Sequence, residues 1–534
     1  MTQTARYDAI IVGGGHNGLV TAGYLAKERF RVLVLERRHI VGGACVTEEL
    51  IPGYRTSRTS YVASLLLPEV IRDFRLREYG FHLNVPEPHS LQPLPDGRCI
   101  LWWADPERRA GEIAKISEGD VANVEAFEAE LAELQPFVDE ILRMTPPPFP
   151  PRGIGEILEF ARFGRRLLRL TDRQLRHLQE LMTLSCADYL DRRFESEAVK
   201  AFYAANGLIG TCVGPMTPGS AAVMLHHSIG TTIEGQPGAW GYVRGGMGAI
   251  AEALRKSVED LGVEVRTEAE VSRFLVEDGA CRGVALNNGD EIRSRLVASA
   301  VDPRRTFLDM VEGGVLDEDF LRSIREFSMQ GSSIKVNAAL SELPDWICLP
   351  GRDPSAPHQQ AMFEIGPSIE YLERAYDDLK YGRPSRRPMI DGNVMSVLDD
   401  SLAPERHHVM SLFVQYGPYH LKQGTWPEIR ESVGDDIVDT LAEYAPNIKR
   451  AIIHREVLSP WDLEKIFGLT EGNIFHGEMT PGQLFFFRPA MRWARYRTPL
   501  RGLYLCASGA HPGGGVMGAP GRNAAREILR DVRR

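Results

Sequence analysis

The chain has 534 residues and a formal net charge of −10, with 43% hydrophobic and 25% charged residues, which is typical of a soluble globular protein of two or three domains. The acidic balance argues against nucleic acid as the main partner, because phosphate binding requires a basic surface. Seven scattered cysteines without a C-x-x-C pair predict neither a disulfide framework nor a zinc site, and no apolar run reaches the ~18 residues of a membrane span. We therefore expect a cytoplasmic protein without a metal, one still able to contact a membrane from one side.

The first predicted unit is a strand, a glycine-rich loop and a helix between residues 7 and 28. An apolar, β-branched run at 9–12 predicts a buried parallel strand, and Gly13-x-Gly15-x-x-Gly18 follows it. In this motif Gly13 permits a tight turn, Gly15 lets the backbone approach a pyrophosphate, and Gly18 lets the helix pack closely on the strand. The helix N-terminus then directs free N–H groups and its positive dipole end at the phosphates.

Two features after this unit indicate which dinucleotide it binds. Residues 31–36 predict a second strand that ends in Glu36, roughly 20 residues past the loop, where a carboxylate accepts hydrogen bonds from a ribose 2′-OH. Gly42-Gly43 follow; alone, this pair favours an ordinary loop turn. A flavoprotein does need a second glycine pair here, because its long FAD runs back along the sheet edge, and together with the opening unit the pair favours FAD.

The next region predicts helices separated by a stiff connector. Apolar residues at helical spacing over 120–142 predict an amphipathic helix, and the proline-rich stretch 145–151 predicts an extended connector. Residues 154–182 combine apolar residues with several arginines. Those arginines are Arg162, Arg165, Arg166 and Arg169. This basic amphipathic pattern either lies in a membrane interface or packs on the core with a solvated face, and we favour the core-packed arrangement.

The second half of the chain first returns to the nucleotide-binding domain and then enters another one. The order helix, strand, hairpin and strand over 249–300 predicts the return, and no second GxGxxG with a following acid occurs, which disfavours a separate NAD(P)H domain. Beyond it, strands are predicted at 333–339 and 408–414, and a polar loop at 355–391. Lys335 lies between two apolar neighbours on the first of these strands, so alternation of facing predicts that it is exposed to solvent.

The C-terminal region predicts one more strand, at 502–507, followed by the glycine-dense loop 508–521 and a closing helix from Arg522. Such a loop is costly in conformational entropy unless something needs its backbone close by. Pro520 fits an early helix position, so a second helix N-terminus is set up here.

Six blocks of the sequence together resemble the FAD-dependent oxidoreductases of the phytoene desaturase and amine oxidase superfamily, over essentially the whole chain. The blocks are VGGGHNGLV, LERRHIVGGACVTEE, GYRTSRTSYV, WGYVRGGMG, HGEMTPGQLFFFRP and GLYLCASGAHPGGGVMGAPGRNAA. The resemblance implies an α/β fold: a Rossmann-like FAD-binding domain of glutathione-reductase type with an interleaved α+β substrate domain. The implied FAD-binding parts are 1–67, 240–302 and 491–534, and the implied substrate-domain parts are 68–239 and 303–490.

The resemblance also implies which residues hold FAD. They are Gly13, Gly15, His16, Asn17, Gly18, Glu36, Arg37, Gly43, Ala44, Val271, Gly509, Val516 and Met517. The three motif glycines would hold the pyrophosphate and Glu36 the adenosine ribose. Gly43 and Ala44 would contact the flavin side, and Val271 the adenine through its backbone. The helix N-terminus after Met517 would stabilise negative charge on the reduced flavin.

The chain departs from the superfamily pattern at two places. Ala44 replaces the arginine of Gly-Gly-Arg, which removes one usual polar contact to FAD. Carotenoid desaturases commonly have Gly-Pro beside the flavin where this chain has Thr59-Ser60, so these positions do not imply a carotenoid substrate.

The expected chemistry is hydride transfer from a substrate C–H to flavin N5, with a base taking the proton that a hydrocarbon loses from the adjacent carbon. Candidate bases are His476, Glu478 and His511, in segments that the resemblance brings towards the flavin; each has an alternative role as a loop hydrogen-bonding residue. Lys335 is a further candidate because flavin amine oxidases use a lysine near N5. We expect an enzyme that dehydrogenates or isomerises a small lipophilic, polyene-like substrate. The alternatives are amine oxidation with oxygen and a non-catalytic flavin-bound interaction or redox-regulatory protein.

Overall fold

The computed structural model describes residues 7–228 and 240–533, so the domain boundary predicted at residue 239 lies outside the described residues. The strands are β1 (Ala9–Val12), β2 (Val32–Leu35), β3 (Thr47–Ile51), β4 (Tyr54–Ser57), β5 (Leu83–Asn84), β6 (Ser90–Pro93), β7 (Cys99–Trp102), β8 (Tyr242–Val243), β9 (Glu264–Arg266), β10 (Val271–Glu277), β11 (Ala280–Leu286), β12 (Glu291–Arg293), β13 (Leu296–Ser299), β14 (Ser333–Leu340), β15 (Met362–Ile365), β16 (Met389–Asn393), β17 (His408–Gln415), β18 (Ile452–Leu458) and β19 (Leu503–Leu505). The helices are α1 (His16–Lys27), α2 (Pro68–Asp73), α3 (Pro106–Ala114), α4 (Asp120–Arg143), α5 (Ile154–Leu167), α6 (Asp172–Thr183), α7 (Cys186–Asp191), α8 (Glu197–Ala205), α9 (Ser220–Ser228), α10 (Gly248–Asp260), α11 (Glu318–Glu326), α12 (Pro357–Gln360), α13 (Ile369–Lys380), α14 (Trp426–Ala442), α15 (Ile448–Ala451), α16 (Pro460–Phe467) and α17 (Ala519–Val532).

A parallel sheet brings three distant parts of the chain together. Its order is β19-β13-β1-β2-β9, with every neighbouring pair parallel. β1 lies in the middle, and its four residues are fully buried, as expected for a strand covered on both faces. Helix α1 packs against α10 and α17, and the antiparallel strand β11 contacts β13 of the sheet, so the domain has the Rossmann-like form that the sequence predicts.

Close helix packing fixes the ends of this layer. An added Cβ at Gly521 would lie 2.2 Å from the Asn17 backbone oxygen, so only glycine lets α17 begin so near to α1. The buried Thr21 hydroxyl donates to the Gly521 carbonyl at 3.1 Å. The first and last helices of the chain therefore start side by side.

A larger mixed sheet forms the second layer, in the order β18-β14-β17-β16-β15-β6-β7. The prediction of a loop over 355–391 is wrong, because this region holds β15, α13 and β16. Only Ile369, Leu372, Ala375 and Asp378 of α13 are buried, so its short apolar stripe is hidden in a polar sequence. Its strands depend on long-range pairing with β6 and β17.

The helices α3–α9 form a third region, which contacts β7 and α13 on the side of the mixed sheet and α17 on the side of the parallel sheet. α4 spans Asp120–Arg143 as predicted, whereas the basic segment 154–182 is two helices, α5 and α6. The first helix ends at Leu167, and the second begins after Thr171, whose side chain forms a capping box with Gln174. Within the described residues, no helix combines the length and the apolar character needed to cross a bilayer.

Candidate functional site

One cavity of about 830 Å³ runs from the parallel sheet to the mixed sheet. Thirteen of the sequence-predicted site residues line it. They are Gly13, Gly15, His16, Asn17, Gly18, Glu36, Arg37, Gly43, Ala44, Val271, Lys335, His476 and Val516. The cavity wall therefore draws on the beginning, the middle and the end of the sequence.

Glycine is needed at the three motif positions for different structural reasons. Gly13 has a φ of +101°, and an added Cβ at Gly18 would lie 2.2 Å from the Gly13 oxygen, so the turn itself requires both. Gly15 is different, because its added Cβ would meet only the Gly42 oxygen, at 3.9 Å. Since the folded chain leaves this space open beside the start of α1, Gly15 keeps the cavity wall clear for a ligand.

The second glycine pair lies directly against the first loop. Gly42 N–H donates to the Gly14 oxygen at 2.9 Å, and an added Cβ at Gly43 would lie 3.6 Å from Gly15 Cα. The next carbonyl, that of Ala44, accepts hydrogen bonds from the Thr59 hydroxyl and from the Ser60 N–H. The residues at both departures from the superfamily pattern therefore cooperate in holding this loop.

Glu36 is buried at the end of β2 and is held by backbone donors. Its Oε2 accepts from Gly14 N–H at 2.8 Å and its Oε1 from Arg38 N–H at 2.9 Å. A carboxylate has about four acceptor positions, so Glu36 retains acceptor capacity towards the cavity. The neighbouring Arg37 guanidinium donates to the Ile466 carbonyl at 2.7 Å, which orients it along the wall.

Unsatisfied polar atoms at the start of α1 fit a polar cofactor. His16 Nε2, Asn17 Oδ1 and His476 Nδ1 are buried, and each lacks a hydrogen-bond partner among the described residues. Asn17 also joins the two glycine-rich ends of the chain, because its amide nitrogen donates to the Ser508 hydroxyl at 3.4 Å. The first N–H groups of a helix form an anion-binding site, which suits the pyrophosphate of FAD. The unsatisfied side-chain atoms suit the polar groups next to the pyrophosphate.

The C-terminal glycine block contributes to the wall through Ser508, Gly515 and Val516. The two neighbouring residues assigned to FAD, Gly509 and Met517, lie behind this wall. An added Cβ at Gly509 would lie 2.3 Å from Pro303 Cδ, and the Met517 carbonyl accepts from Leu67 N–H at 3.0 Å. Their cofactor contacts remain predictions.

The prediction that Lys335 is exposed is wrong. β14 lies between β17 and β18 inside the mixed sheet, and all eight of its residues are buried. Its neighbours Ile334 and Val336 face an apolar core, so alternation is correct, but the opposite face of the sheet is the cavity rather than solvent. Lys335 therefore points its amine into the cavity with 2% of its surface exposed.

A cluster of ionisable side chains surrounds Lys335. Tyr61 O–H donates to Asp391 Oδ2 at 2.6 Å, and Lys335 Nζ donates to the Ser411 hydroxyl and lies 4.9 Å from the centre of the Tyr61 ring. Burial lowers the pKa of Lys335 to about 7 and raises the pKa of Asp391 to about 7. Burial also raises the pKa of Glu364 well above its usual range, and its Oε1 has no partner among the described residues. Groups able to exchange a proton near neutral pH therefore line this end of the cavity.

The other three candidate bases differ in position. His476 lines the cavity, and burial lowers its pKa to about 4. Glu478 lies behind the wall, where Cys212 N–H donates to its Oε1 and burial raises its pKa to about 7. His511 lies against α4, whose Ile141 carbonyl is 2.8 Å from its Nε2. Of the four candidates, Lys335 and His476 are the ones brought to the cavity.

Arg488, which the sequence reasoning missed, organises the HGEMTPGQLFFFRP block. It is fully buried and donates to the carbonyl oxygens of five residues. These residues are Phe475, Gly477, Glu478, Gln483 and Ser508, at 2.7–3.3 Å. A lone arginine beside a proline gives no local signal of burial, because its partners are backbone atoms set by the fold.

Comparison with known proteins shows the family. The sequence pattern of the flavin containing amine oxidoreductases matches residues 18–529. The chain belongs to this family. It is therefore an FAD-dependent oxidoreductase, and the residues at the cavity wall are those expected to hold FAD.

Two relatives found by sequence and one solved structure of similar fold span essentially the whole chain. Pyridine nucleotide-disulfide oxidoreductase domain-containing protein 2 from Rattus norvegicus is 41% identical over 99% of this chain and 94% of its own. A limonene dehydrogenase subunit from Castellaniella defragrans is 26% identical over 100% of this chain and 96% of its own. The solved structure of putrescine oxidase bound to putrescine has a TM-score of 0.59 at 16% identity, covering 99% of both chains, which shows a shared fold.

Within the described residues, no group of three or more His, Cys, Asp or Glu side chains is placed to hold a metal ion.

Proposed function

We propose that the protein dehydrogenates or isomerises a lipophilic substrate of isoprenoid or polyene type by hydride transfer to FAD. The observation that carries the proposal is that one cavity joins the glycine loops to an aromatic wall and to Lys335. The aromatic residues of this wall are Tyr61, Trp102, Phe202, Phe363 and Phe413. An apolar wall binds a hydrocarbon by burial, while a few polar groups fix its orientation. The relative named as part of a limonene dehydrogenase supports an isoprenoid substrate class.

The chain supplies a proton acceptor at the far end of the cavity. Bound FAD supplies the hydride acceptor. Since burial brings the pKa of Lys335 to about 7, much of its amine is neutral at physiological pH and can accept the proton lost from the carbon next to the hydride donor. Ser411 and the Tyr61 ring orient the amine, and Asp391 holds the Tyr61 hydroxyl in place.

Anaerobic mixing of the FAD-loaded protein with terpenes, carotenoids, retinoids, amines and amino acids tests the proposal, with loss of flavin absorbance as the readout. We expect bleaching by an isoprenoid or polyene. Lys335→Met is expected to keep the FAD spectrum and to slow bleaching, whereas Lys256→Met, at a half-exposed surface lysine, is expected to behave as wild type. Failure of every lipophilic compound to bleach the flavin would contradict the proposal.

Amine oxidation with oxygen as acceptor is the second candidate, because Asp391 and Glu364 line the same end of the cavity and carboxylates suit a substrate ammonium. Bleaching by amines alone, with peroxide released in air, would favour it. If no compound bleaches the flavin and a protein partner co-purifies reproducibly, the non-catalytic alternative applies.

A further inference from the structure

Helix α5 lies on the surface, and one of its faces exposes aliphatic side chains to solvent. None of its residues is buried, so the core-packed arrangement that the sequence favours for 154–182 does not hold for α5, whereas α6 buries His177 and Leu181. Ile154 is 80% exposed, and Ile157 and Leu158 are 54% and 52% exposed; Leu168, just past the helix, is 82% exposed. Large aliphatic side chains so exposed on one helix face indicate that something covers them.

The opposite face of α5 is anchored by aromatic packing. Six phenylalanines from three segments form a cluster beneath the helix. They are Phe149, Phe160, Phe163, Phe485, Phe486 and Phe487. Ring centres of Phe149 and Phe486 are 4.8 Å apart, and those of Phe163 and Phe485 are 5.2 Å apart. The helix is therefore held in place by its inner face, and its outer face is presented as a fixed surface.

The same outer face carries positive charge. Arg162, Arg165 and Arg169 are exposed, and among the ion pairs of residues 7–228 and 240–533 none involves these three guanidinium groups. A second cavity, of about 620 Å³, adjoins α5 and is lined by six arginines and three glutamates, and four of these arginines are in ion pairs whereas Arg162 and Arg526 have no ion pair among the described residues. Its arginines are Arg143, Arg162, Arg166, Arg495, Arg526 and Arg530.

We propose that α5 docks the protein on the surface of an anionic lipid bilayer. A helix with exposed aliphatic residues and unpaired arginines on one face lies in the membrane interface, where the apolar side chains enter the acyl boundary and the arginines meet lipid phosphates. Charge favours this occupant. Although the protein has a net charge of −10, it has arginines without ion pairs around these aliphatic side chains, and these arginines complement an anionic surface. The docking surface does not depend on the identity of the substrate.

Vesicle co-sedimentation of the FAD-loaded protein tests the docking surface, with phosphatidylcholine vesicles with and without phosphatidylserine. Wild-type protein is expected to sediment with the anionic vesicles and to dissociate at high salt. The double variant Ile157→Gln/Leu158→Gln is expected to bind more than tenfold more weakly. Its matched control, Ile347→Gln/Ile453→Gln, alters residues that are 51% and 48% exposed elsewhere and is expected to bind as wild type.

The charge contribution is tested separately. Arg165→Gln/Arg169→Gln is expected to weaken binding to anionic vesicles about 25-fold, since each arginine near such a surface contributes about fivefold, and to leave binding to neutral vesicles unchanged. Arg244→Gln/Arg406→Gln, at exposed arginines elsewhere, is the control. The FAD spectrum of each variant reports folding.

Three results would overturn the proposal. Wild-type protein that stays in the supernatant with anionic vesicles contradicts it directly. Binding that neither double variant weakens places the membrane contact elsewhere. A dimer that forms without lipid and is lost in Ile157→Gln/Leu158→Gln assigns the face to a second copy of the chain.

Discussion

Replacing Gly15 with alanine is expected to weaken FAD binding without destabilising the fold. Its φ of −68° suits alanine, and an added Cβ would meet only the Gly42 oxygen at 3.9 Å. Because a compatible glycine-to-alanine change lowers the entropy of the unfolded chain, we expect the FAD-free Gly15→Ala protein to have a free energy of unfolding about 0.4–1 kcal/mol higher than wild type. The added methyl group instead projects into the space expected for the pyrophosphate.

The expected cost falls on FAD affinity. A methyl group forced into a close-packed contact costs ~1–3 kcal/mol, which corresponds to a Kd for FAD roughly 5- to 150-fold weaker. Titration of FAD-free protein with FAD measures this Kd, and urea unfolding without FAD measures stability. Gly111→Ala, inside α3 and with nothing within 4 Å of its added Cβ, is the control for FAD affinity: its Kd for FAD is expected to equal that of wild type, while its stability rises as for Gly15→Ala. Gly18→Ala, whose Cβ would lie 2.2 Å from the Gly13 oxygen, is expected to destabilise the fold itself. An unchanged FAD Kd in Gly15→Ala would refute the reasoning.

Two further substitutions test the interior. In wild type, kcat/KM is expected to rise with pH through about 7 as Lys335 loses its proton. The Lys335→Met variant is expected to lose this pH dependence and to be about 10²- to 10⁴-fold slower. If the rise with pH persists in the variant, the titrating group is another one, such as Asp391. Arg488→Met leaves buried carbonyls without their donor, so the free energy of unfolding is expected to fall by about 3–5 kcal/mol in urea titrations; a loss below about 1 kcal/mol would contradict the role of this arginine.

Local signals in the sequence are enough to predict the first unit of the parallel sheet, which is β1, α1 and β2. The apolar run of β1, the glycine spacing after it and Glu36 at the end of β2 all act within about 30 residues, so periodicity and turn chemistry identify them. The convergence of the chain ends was predicted through the family resemblance, and the Asn17–Ser508 contact shows how it is made.

Features that depend on distant partners could not be predicted. Lys335 has an apolar neighbour on each side, and only the pairing of β14 with β17 and β18 shows that both faces of its sheet are covered. Arg488 is buried by carbonyls contributed by the fold, and α5 has the pattern of a core helix although none of its residues is buried. In each case the sequence shows the type of side chain, but its burial depends on which distant segments pack against it.

Hydrogen–deuterium exchange with and without FAD tests most directly whether separated parts of this chain hold one extended cofactor. At stoichiometric FAD, we expect the amides near Gly15, Gly43, Val271 and Val516 to become protected together, because all four positions line the same cavity. Protection confined to the N-terminal glycine loop, with the C-terminal glycine block unchanged, would contradict the account.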